Sequence, residues 1–239
     1  MAKKQSKNGF WRVLKRIMLW SIILFFGTSI FFTLLYRWVN PPITPLMVIR
    51  LFDQKAADKP MKLQKDWVSI DKIAPSMIQA VVASEDNLFL QHNGFDWAAI
   101  DKARSRNASG KKNIHGGSTI SQQTAKNVFL YPKRSYIRKG LEVYFTFLIE
   151  TFWSKERIME VYLNVIEMGD GIYGVEKAAQ TYYKRSAARL SPAQSAMIAS
   201  ILPAPRRRNP ARPSGYMLKR QSLILNLMGK IGAVRFENK

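Results

Sequence analysis

The 239-residue sequence predicts a mainly α-helical domain behind a single membrane-spanning helix. Three observations carry that expectation. Residues 17–36, IMLWSIILFFGTSIFFTLLY, run for twenty positions without a charge, and a helix of that length spans about 30 Å, the thickness of a bilayer's hydrocarbon layer. From Pro75 onward, apolar residues recur at helical spacing in one segment after another. Between these segments stand helix-start signals, Thr119, Ser154 and Ser191-Pro192 among them, whose hydroxyls satisfy free N–H groups of a first turn. Strand-like alternation is sparse, and no internal repeat is evident.

Charge and composition narrow the function classes. The chain holds 38 basic and 16 acidic residues, a net charge of +22. Six of the positives precede the apolar run, and the remainder still carries +16. Such a field favours anionic partners: nucleic acid, an anionic membrane surface or a phosphate-bearing substrate. With no cysteine, disulfides, thiol catalysis and cysteine-based metal sites are excluded. Two histidines, His92 and His115, are too few for a histidine-rich metal centre.

Residues 1–16 form a basic tail and residues 17–37 the membrane span, with Trp20, Tyr36 and Trp38 near its ends as interfacial aromatics. Lys3, Lys4, Lys7, Arg12, Lys15 and Arg16 precede the span, against Arg37 alone just after it. The positive-inside rule places the N-terminus in the cytoplasm and residues 40–239 outside. A cleaved signal peptide is the weaker reading, because the run is long and no small-x-small cleavage site follows. Residues 38–74 are expected to be a membrane-proximal linker that begins Asn40-Pro-Pro, an extended exit. Within it Ile43, Leu46, Val48, Ile49 and Leu51 suggest linker or short strand. Residues 75–239 make the main domain.

The domain opens with Pro75 at the first turn of a helix and Met77, Ile78, Val81 and Val82 at helical spacing. Glu85 and Asp86 then sit at its C-terminal end, where the helix dipole disfavours negative charge and tends to raise a carboxyl pKa. A carboxylate so raised on an apolar element suits a general base; a solvated helix end is the competing interpretation. A short helix follows from Asp96 to about Arg106, then a polar loop, residues 107–113, expected to be mobile. In the stretch from His115 to Asn127, Thr119 and Gln122 match a capping box at a helix entrance suited to anionic oxygen, with Lys126 two turns on. It is not a phosphate-binding P-loop, since no Gly-Lys-Ser/Thr follows. Residues 128–134 either dip into the headgroup region or fold onto the core. Ser135 to Phe152 reads as an amphipathic helix with Ile137, Leu141, Tyr144, Phe145, Leu148 and Phe152 on one stripe. Arg138, Lys139 and Glu142 share another face, either as a surface ion-pair ladder or as a carboxylate and two cations lining a cleft. A helix capped by Ser154, a glycine-punctuated turn at 167–174 and a helix to about Tyr183 come next. Ser191 and Gln194 box the start of a helix to about Leu202, a basic proline-rich loop runs from Pro203 to Pro213, and a last helix spans about Ser214 to Met228.

Four of these segments, taken together, resemble a known family. They are Glu-Asp-x-x-Phe-x-x-His-x-Gly from Glu85, Gly-Gly-Ser-Thr-Ile-Ser-Gln-Gln-Thr-Ala-Lys-Asn from Gly116, Arg-Lys-x-x-Glu from Arg138, and Ile158-x-Glu-x-Tyr-Leu-Asn164 with Gly169, Gly171 and Tyr173-Gly174. A weaker fifth runs from Leu190 through Gln194 to Ala199, with Pro203, Pro205 and Asn209-Pro210. Over roughly residues 60–215 the chain is similar to the peptidoglycan glycosyltransferases of family 51, in their monofunctional form. The resemblance implies a lysozyme-like helical fold with a membrane-associated small lobe, held at the bacterial inner (cytoplasmic) membrane with the catalytic domain outside. The implied activity is polymerisation of lipid II into β-1,4 glycan with inversion and release of polyprenyl diphosphate. Its partners would be lipid II, the growing lipid-linked strand and cell-wall synthesis or division proteins. Glu85 matches the family's catalytic base, Asp86 its neighbour, and Glu142 the second glutamate. Ser118, Thr119, Gln123, Lys126, Asn127, Arg138 and Lys139 match positions around the donor's diphosphate and sugars, and Arg134 joins them. Tyr183 stands where Phe is commoner. A Mg²⁺ or Mn²⁺ ion is compatible with such a substrate, but no metal-ligand cluster in the sequence demands one.

Other classes fit less well. A lytic enzyme would also use a glutamate on a helical scaffold, yet a neutral glycan gives it little use for Lys126, Arg138 and Lys139. A membrane-tethered nucleic-acid binder is suggested by the charge, but the external topology and the lack of a basic-aromatic motif count against it. Ser69-Ile-Asp-Lys72 fits the Ser-x-x-Lys of transpeptidases by chance; no Lys-Thr/Ser-Gly accompanies it, and the chain is short for a second domain.

Overall fold

A computed structural model describes residues 3–108, 117–133 and 135–236. The chain divides into two units, Met1–Asn40 and Pro41–Lys239. The first is one helix, α1 (Lys3–Trp38). Its stretch Gly9–Trp38 is long and apolar enough to cross a membrane. Its large side chains stand outward, Leu24 at 66% and Phe31 at 59% exposure. Thr28 donates its hydroxyl to the Leu24 carbonyl at 2.7 Å, so the helix satisfies this polar side chain from its own backbone.

The second unit begins with a correction. The segment expected to be linker or strand is a helix, α2 (Pro45–Ala56). Thr44 caps it by accepting from the Met47 N–H, and Pro45 holds the first position. Leu46 and Met47 are buried, and α2 lies against a later helix, so packing overrides the strand preference of Val48 and Ile49. The order then runs β1 (Gln64–Lys65), a 3₁₀ turn (Ile70–Lys72), α3 (Pro75–Glu85), α4 (Trp97–Ala108), α5 (Ile120–Phe129), α6 (Tyr136–Phe152), α7 (Lys155–Val165), β2 (Glu167–Gly169), β3 (Ile172–Tyr173), α8 (Val175–Tyr183), a second 3₁₀ turn (Ala187–Arg189), α9 (Pro192–Ile201) and α10 (Gly215–Ile231). The glycine-punctuated turn is therefore the hairpin of a small sheet of order β1–β3–β2, with β1 parallel and β2 antiparallel to β3. Gly171 makes that hairpin possible: its φ is +69°, and a Cβ there would lie 2.4 Å from the Lys62 carbonyl oxygen.

Two packed layers position the site. In one, α7 lies against α5 and sends Ile158, Met159, Tyr162 and Leu163 into the core, all fully buried. In the other, α3, α9 and α10 approach closely over Ala80, Ala83, Ala196 and Ala199, against Ile224 and Met228. Helix α6 differs from its expected stripe. Phe145, Leu148 and Ile149 are buried, but Ile137 is 76% exposed and the charged pair Arg138 and Glu142 turns inward instead. Of residues 128–134, the end of α5 and Leu130 pack onto the core, with Val128 and Leu130 buried and Phe129 stacked on Phe145 at 4.5 Å between ring centroids, while Tyr131, Pro132 and Lys133 are exposed. The loop expected to be mobile lies largely outside the described residues, as do His115, Gly116 and Arg134.

Candidate active site

Helix α3 delivers Glu85 on its last turn and ends at Asp86, whose N–H still reaches the Val82 carbonyl. The two adjacent carboxylates then part company. The Glu85 side chain is 14% exposed and the Asp86 side chain 2%, so the solvated helix end is set aside. Asp86 turns into the scaffold. His92 Nε2 lies 2.9 Å from its Oδ1, and the Ile120 N–H donates to Oδ2 at 2.9 Å. His92 Nδ1 accepts from the Gly94 N–H at 3.1 Å, which leaves the ring proton on Nε2 facing Asp86. Thr119 donates its hydroxyl to the Gly94 carbonyl at 2.7 Å. The capping box is formed as expected, with Thr119 Oγ1 accepting from Gln122 N–H and Gln122 Oε1 from Thr119 N–H. The glutamate-aspartate segment and the serine-threonine segment are thus joined, Asp86 serving as a carboxylate cap on the N-terminus of α5. The N–H groups of Ile120 and Gln122, expected to face an anionic ligand, are occupied by Asp86 and Thr119.

Glu85 faces a cleft. Its Oε2 accepts from Gln123 Nε2 at 3.1 Å. The Gln123 amide is itself oriented, its Oε1 accepting from the Tyr162 hydroxyl at 3.2 Å and its Nε2 also 3.4 Å from the Ser118 carbonyl. Tyr162 is fully buried, and burial pushes its hydroxyl well above the ordinary range, so it stays a proton donor. Burial also raises the Glu85 carboxyl, against the Gln123 hydrogen bond and the charges of Arg220 and Lys126. Desolvation is the leading cause, rather than the helix dipole that the sequence suggests. A cavity beside Glu85 is lined by Asn87, Asp96, Gly117, Ser118 and Thr119.

One turn beyond Gln123, Lys126 stands between this carboxylate and a cationic group on α6. Glu142 accepts from Arg138 Nη1 at 2.5 Å and from Lys139 Nζ at 2.6 Å, and is itself only 3% exposed. This is a buried clamp rather than a surface ladder. Burial pulls the Lys126 ammonium below its ordinary value; Glu142 and Glu85 oppose that, while Arg138 and Lys139 add to it. Among the described residues, the Arg138 Nε is buried without a hydrogen-bond partner. A second cavity, of about 190 Å³, continues from Gln123, Lys126 and Asn127 to Arg50 and Glu167. Those last two form a bidentate pair, Arg50 Nε to Glu167 Oε1 at 3.1 Å and Nη2 to Oε2 at 3.3 Å.

Glu85, Ser118, Gln123 and Lys126 therefore converge, with Glu142, Arg138 and Lys139 behind Lys126 and Asn127 opening onto the second cavity. Asp86 and Thr119 border the first cavity but give their polar atoms to the scaffold. Sequence reasoning missed Arg50, Tyr162, Glu167 and Arg220 as site residues. Tyr162 stood in the quoted Tyr-Leu-Asn segment, and Arg220 interrupts the apolar stripe Met217, Ile224, Met228 of the last helix; Arg50 and Glu167 gave no local signal. Among the described residues, no group of three or more histidine, aspartate or glutamate side chains is placed to hold a metal ion. Glu142 is committed to two cations. In chemical terms the arrangement is a proton acceptor kept from water, beside donors and cations able to stabilise a departing anion.

A family profile described as Transglycosylase matches residues 53–229. The chain is 54% identical over 216 residues to a biosynthetic peptidoglycan transglycosylase of Bdellovibrio bacteriovorus, covering 90% of this chain and 86% of that protein. It is 55% identical over 210 residues to one of Bacteroides thetaiotaomicron, covering 88% and 84%. With one of Caulobacter vibrioides it shares 49% identity over 220 residues, covering 92% and 93%.

Proposed function

The chain belongs to the transglycosylase family and is a peptidoglycan glycosyltransferase; from that premise we propose that it polymerises lipid II with Glu85 as general base. The observation that carries this is the largely shielded Glu85 carboxylate, held by Gln123, with Lys126 in electrostatic reach of both Glu85 and the Arg138–Glu142–Lys139 clamp. A proton acceptor and a set of cations in one cleft suit an attack that creates an alkoxide at one end and releases an anion at the other.

In the proposed step, the GlcNAc 4-hydroxyl of lipid II attacks C1 of the terminal MurNAc of the growing strand. The O4–C1 bond forms as the bond from C1 to the diphosphate oxygen breaks, with inversion at C1. The hydroxyl proton passes to Glu85 and then to solvent. Lys126, Arg138 and Lys139 take up the charge that develops on the polyprenyl diphosphate, and Glu142 holds two of these cations in place. Ser118, Gln123 and Asn127 line the substrate path, with Arg134 assigned there by its motif position. The Gly9–Trp38 stretch fits a single-pass anchor, and the six basic residues ahead of its uncharged run 17–36 support a cytoplasmic N-terminus with the catalytic domain outside the inner membrane.

General-base catalysis contributes about 10²–10⁴-fold. Detergent-solubilised protein given labelled lipid II is expected to make lysozyme-sensitive polymer, and Glu85→Gln almost none. Normal polymerisation by Glu85→Gln would sink the assignment of the base, and shortening of preformed glycan would point to lytic chemistry instead.

A further inference from the structure

The C-terminal helix α10 brings one charged side chain to the base. Arg220 Nη2 lies 3.7 Å from Glu85 Oε1, on the carboxylate oxygen opposite the one bonded to Gln123. We propose that Arg220 is a positioning residue for the transferase reaction: together with Gln123 it fixes the plane of the Glu85 carboxylate and keeps that carboxylate ionised while it awaits the acceptor hydroxyl. The proposal rests on Glu85 being the base.

Arg220 occupies a place where the helix pattern calls for an apolar residue. Met217, Ile224 and Met228 mark the inward face of α10, all nearly fully buried, and Arg220 stands among them at the i+3 and i−4 spacings that share a face. A guanidinium there costs desolvation unless it meets a negative charge. Its side chain is 24% exposed, and its Nε is buried without a hydrogen-bond partner among the described residues. Gln79 fixes the register of α10 by donating to the carbonyls of Met228 and Gly232 at 2.8 and 2.7 Å, and Gln221 adds a bond to the Ala193 carbonyl at 2.7 Å. The helix is thus pinned to α3 and α9, and the guanidinium is delivered to the end of α3 rather than swinging in solvent.

The charges around Glu85 give the sign of the effect. Asp86 follows it on the chain, Lys126 faces it from α5 with Glu142, Arg138 and Lys139 of α6 behind, Tyr162 from α7, and Asp96 across the cavity; helix α9 carries no titratable side chain. Burial and Asp86 favour the protonated acid, while Lys126 and Arg220 favour the carboxylate. Loss of the Arg220 charge therefore raises the Glu85 pKa. An adjacent arginine shifts a carboxyl by roughly 1–3 units, so the acid limb of the kcat profile is expected to move upward by about one unit, a tenfold fall in rate on that limb.

The test compares lipid II polymerisation by the full-length wild type, Arg220→Gln, Arg220→Lys and Glu85→Gln across pH in one detergent. Arg220→Gln should lose rate at low pH, recover much of it at high pH and keep its KM for lipid II, while Arg220→Lys retains an acid limb close to wild type. If Arg220→Gln fails to fold, Arg220→Met carries the same test with an unbranched side chain in place of the stem. An equal loss at every pH, or a raised KM with the limb unmoved, overturns the proposal in favour of a structural or substrate-binding role. An active Glu85→Gln would instead refute the base assignment on which it rests.

Discussion

Replacing Glu142 with glutamine tests both the buried clamp and the part played by Lys126. Glutamine keeps the shape of the side chain but leaves Arg138 and Lys139 facing each other with no negative charge between them. The two cations do not share the loss equally. The Lys139 side chain is 47% exposed, so water screens it and its pairing is worth on the order of 1 kcal/mol or less. The Arg138 side chain is 11% exposed, and breaking a buried pair costs about 3 kcal/mol or more. At about 2–4 °C per kcal/mol for a chain of this size, Tm should fall by about 6–12 °C. Glu142 is also the largest of the charges that keep Lys126 protonated against its burial. Without it the Lys126 pKa drops further, and the alkaline limb of the kcat profile moves to lower pH if that ammonium must meet the leaving diphosphate. Thermal unfolding in detergent reads the first effect and lipid II polymerisation from neutral to alkaline pH the second. A Tm within a degree or two of wild type would refute the buried pair; a lowered Tm with an unmoved alkaline limb would refute the role given to Lys126.

Glu85→Gln is expected to unfold at a higher temperature than wild type at neutral pH. A carboxyl whose folded pKa is raised binds its proton more tightly in the native state, so its contribution to stability falls as pH rises through that pKa; a neutral isostere removes the penalty, and a lower Tm would contradict this. Gly171→Ala should destabilise by about 1–3 kcal/mol, because the residue sits at φ +69° with a carbonyl oxygen 2.4 Å from the new Cβ, and the shape of the pH–rate profile should stay as in wild type; denaturant melts and the profile check both halves. Alkaline phosphatase fused after Lys239 should be active in cells, and a cytoplasmic reporter at the same place silent; the reverse pattern would invert the proposed orientation.

Much of the fold was legible because its signals are local. Thr119, Ser154 and Ser191 each cap a helix from within a few residues, and the apolar run of residues 17–36 sets a helix long enough to span a membrane whatever surrounds it. Local signals failed where burial decided. Val48 and Ile49 favour strand, yet α2 is a helix, because Thr44 and Pro45 start it and Leu46 and Met47 are buried. Ile137 belongs to an apolar stripe by spacing, but α6 turns Arg138 and Glu142 inward instead.

The same division runs through the site. The sequence by itself determined an acidic pair at a helix end, a capped serine-threonine segment and an arginine-lysine-glutamate triplet on one helix face, since side-chain chemistry and spacing along one helix are local properties; that the three serve one site was implied by the family resemblance alone. Only the tertiary structure decided what each does there. It separated Glu85 from Asp86 by giving the second to His92 and the Ile120 N–H, buried Glu142 between two cations, and carried Arg220 from the last helix to the carboxylate of the third. The physical reason is that desolvation and charge pairing depend on which surfaces the helices bury against one another, and contacts made across the whole length of the chain leave no mark in any one segment.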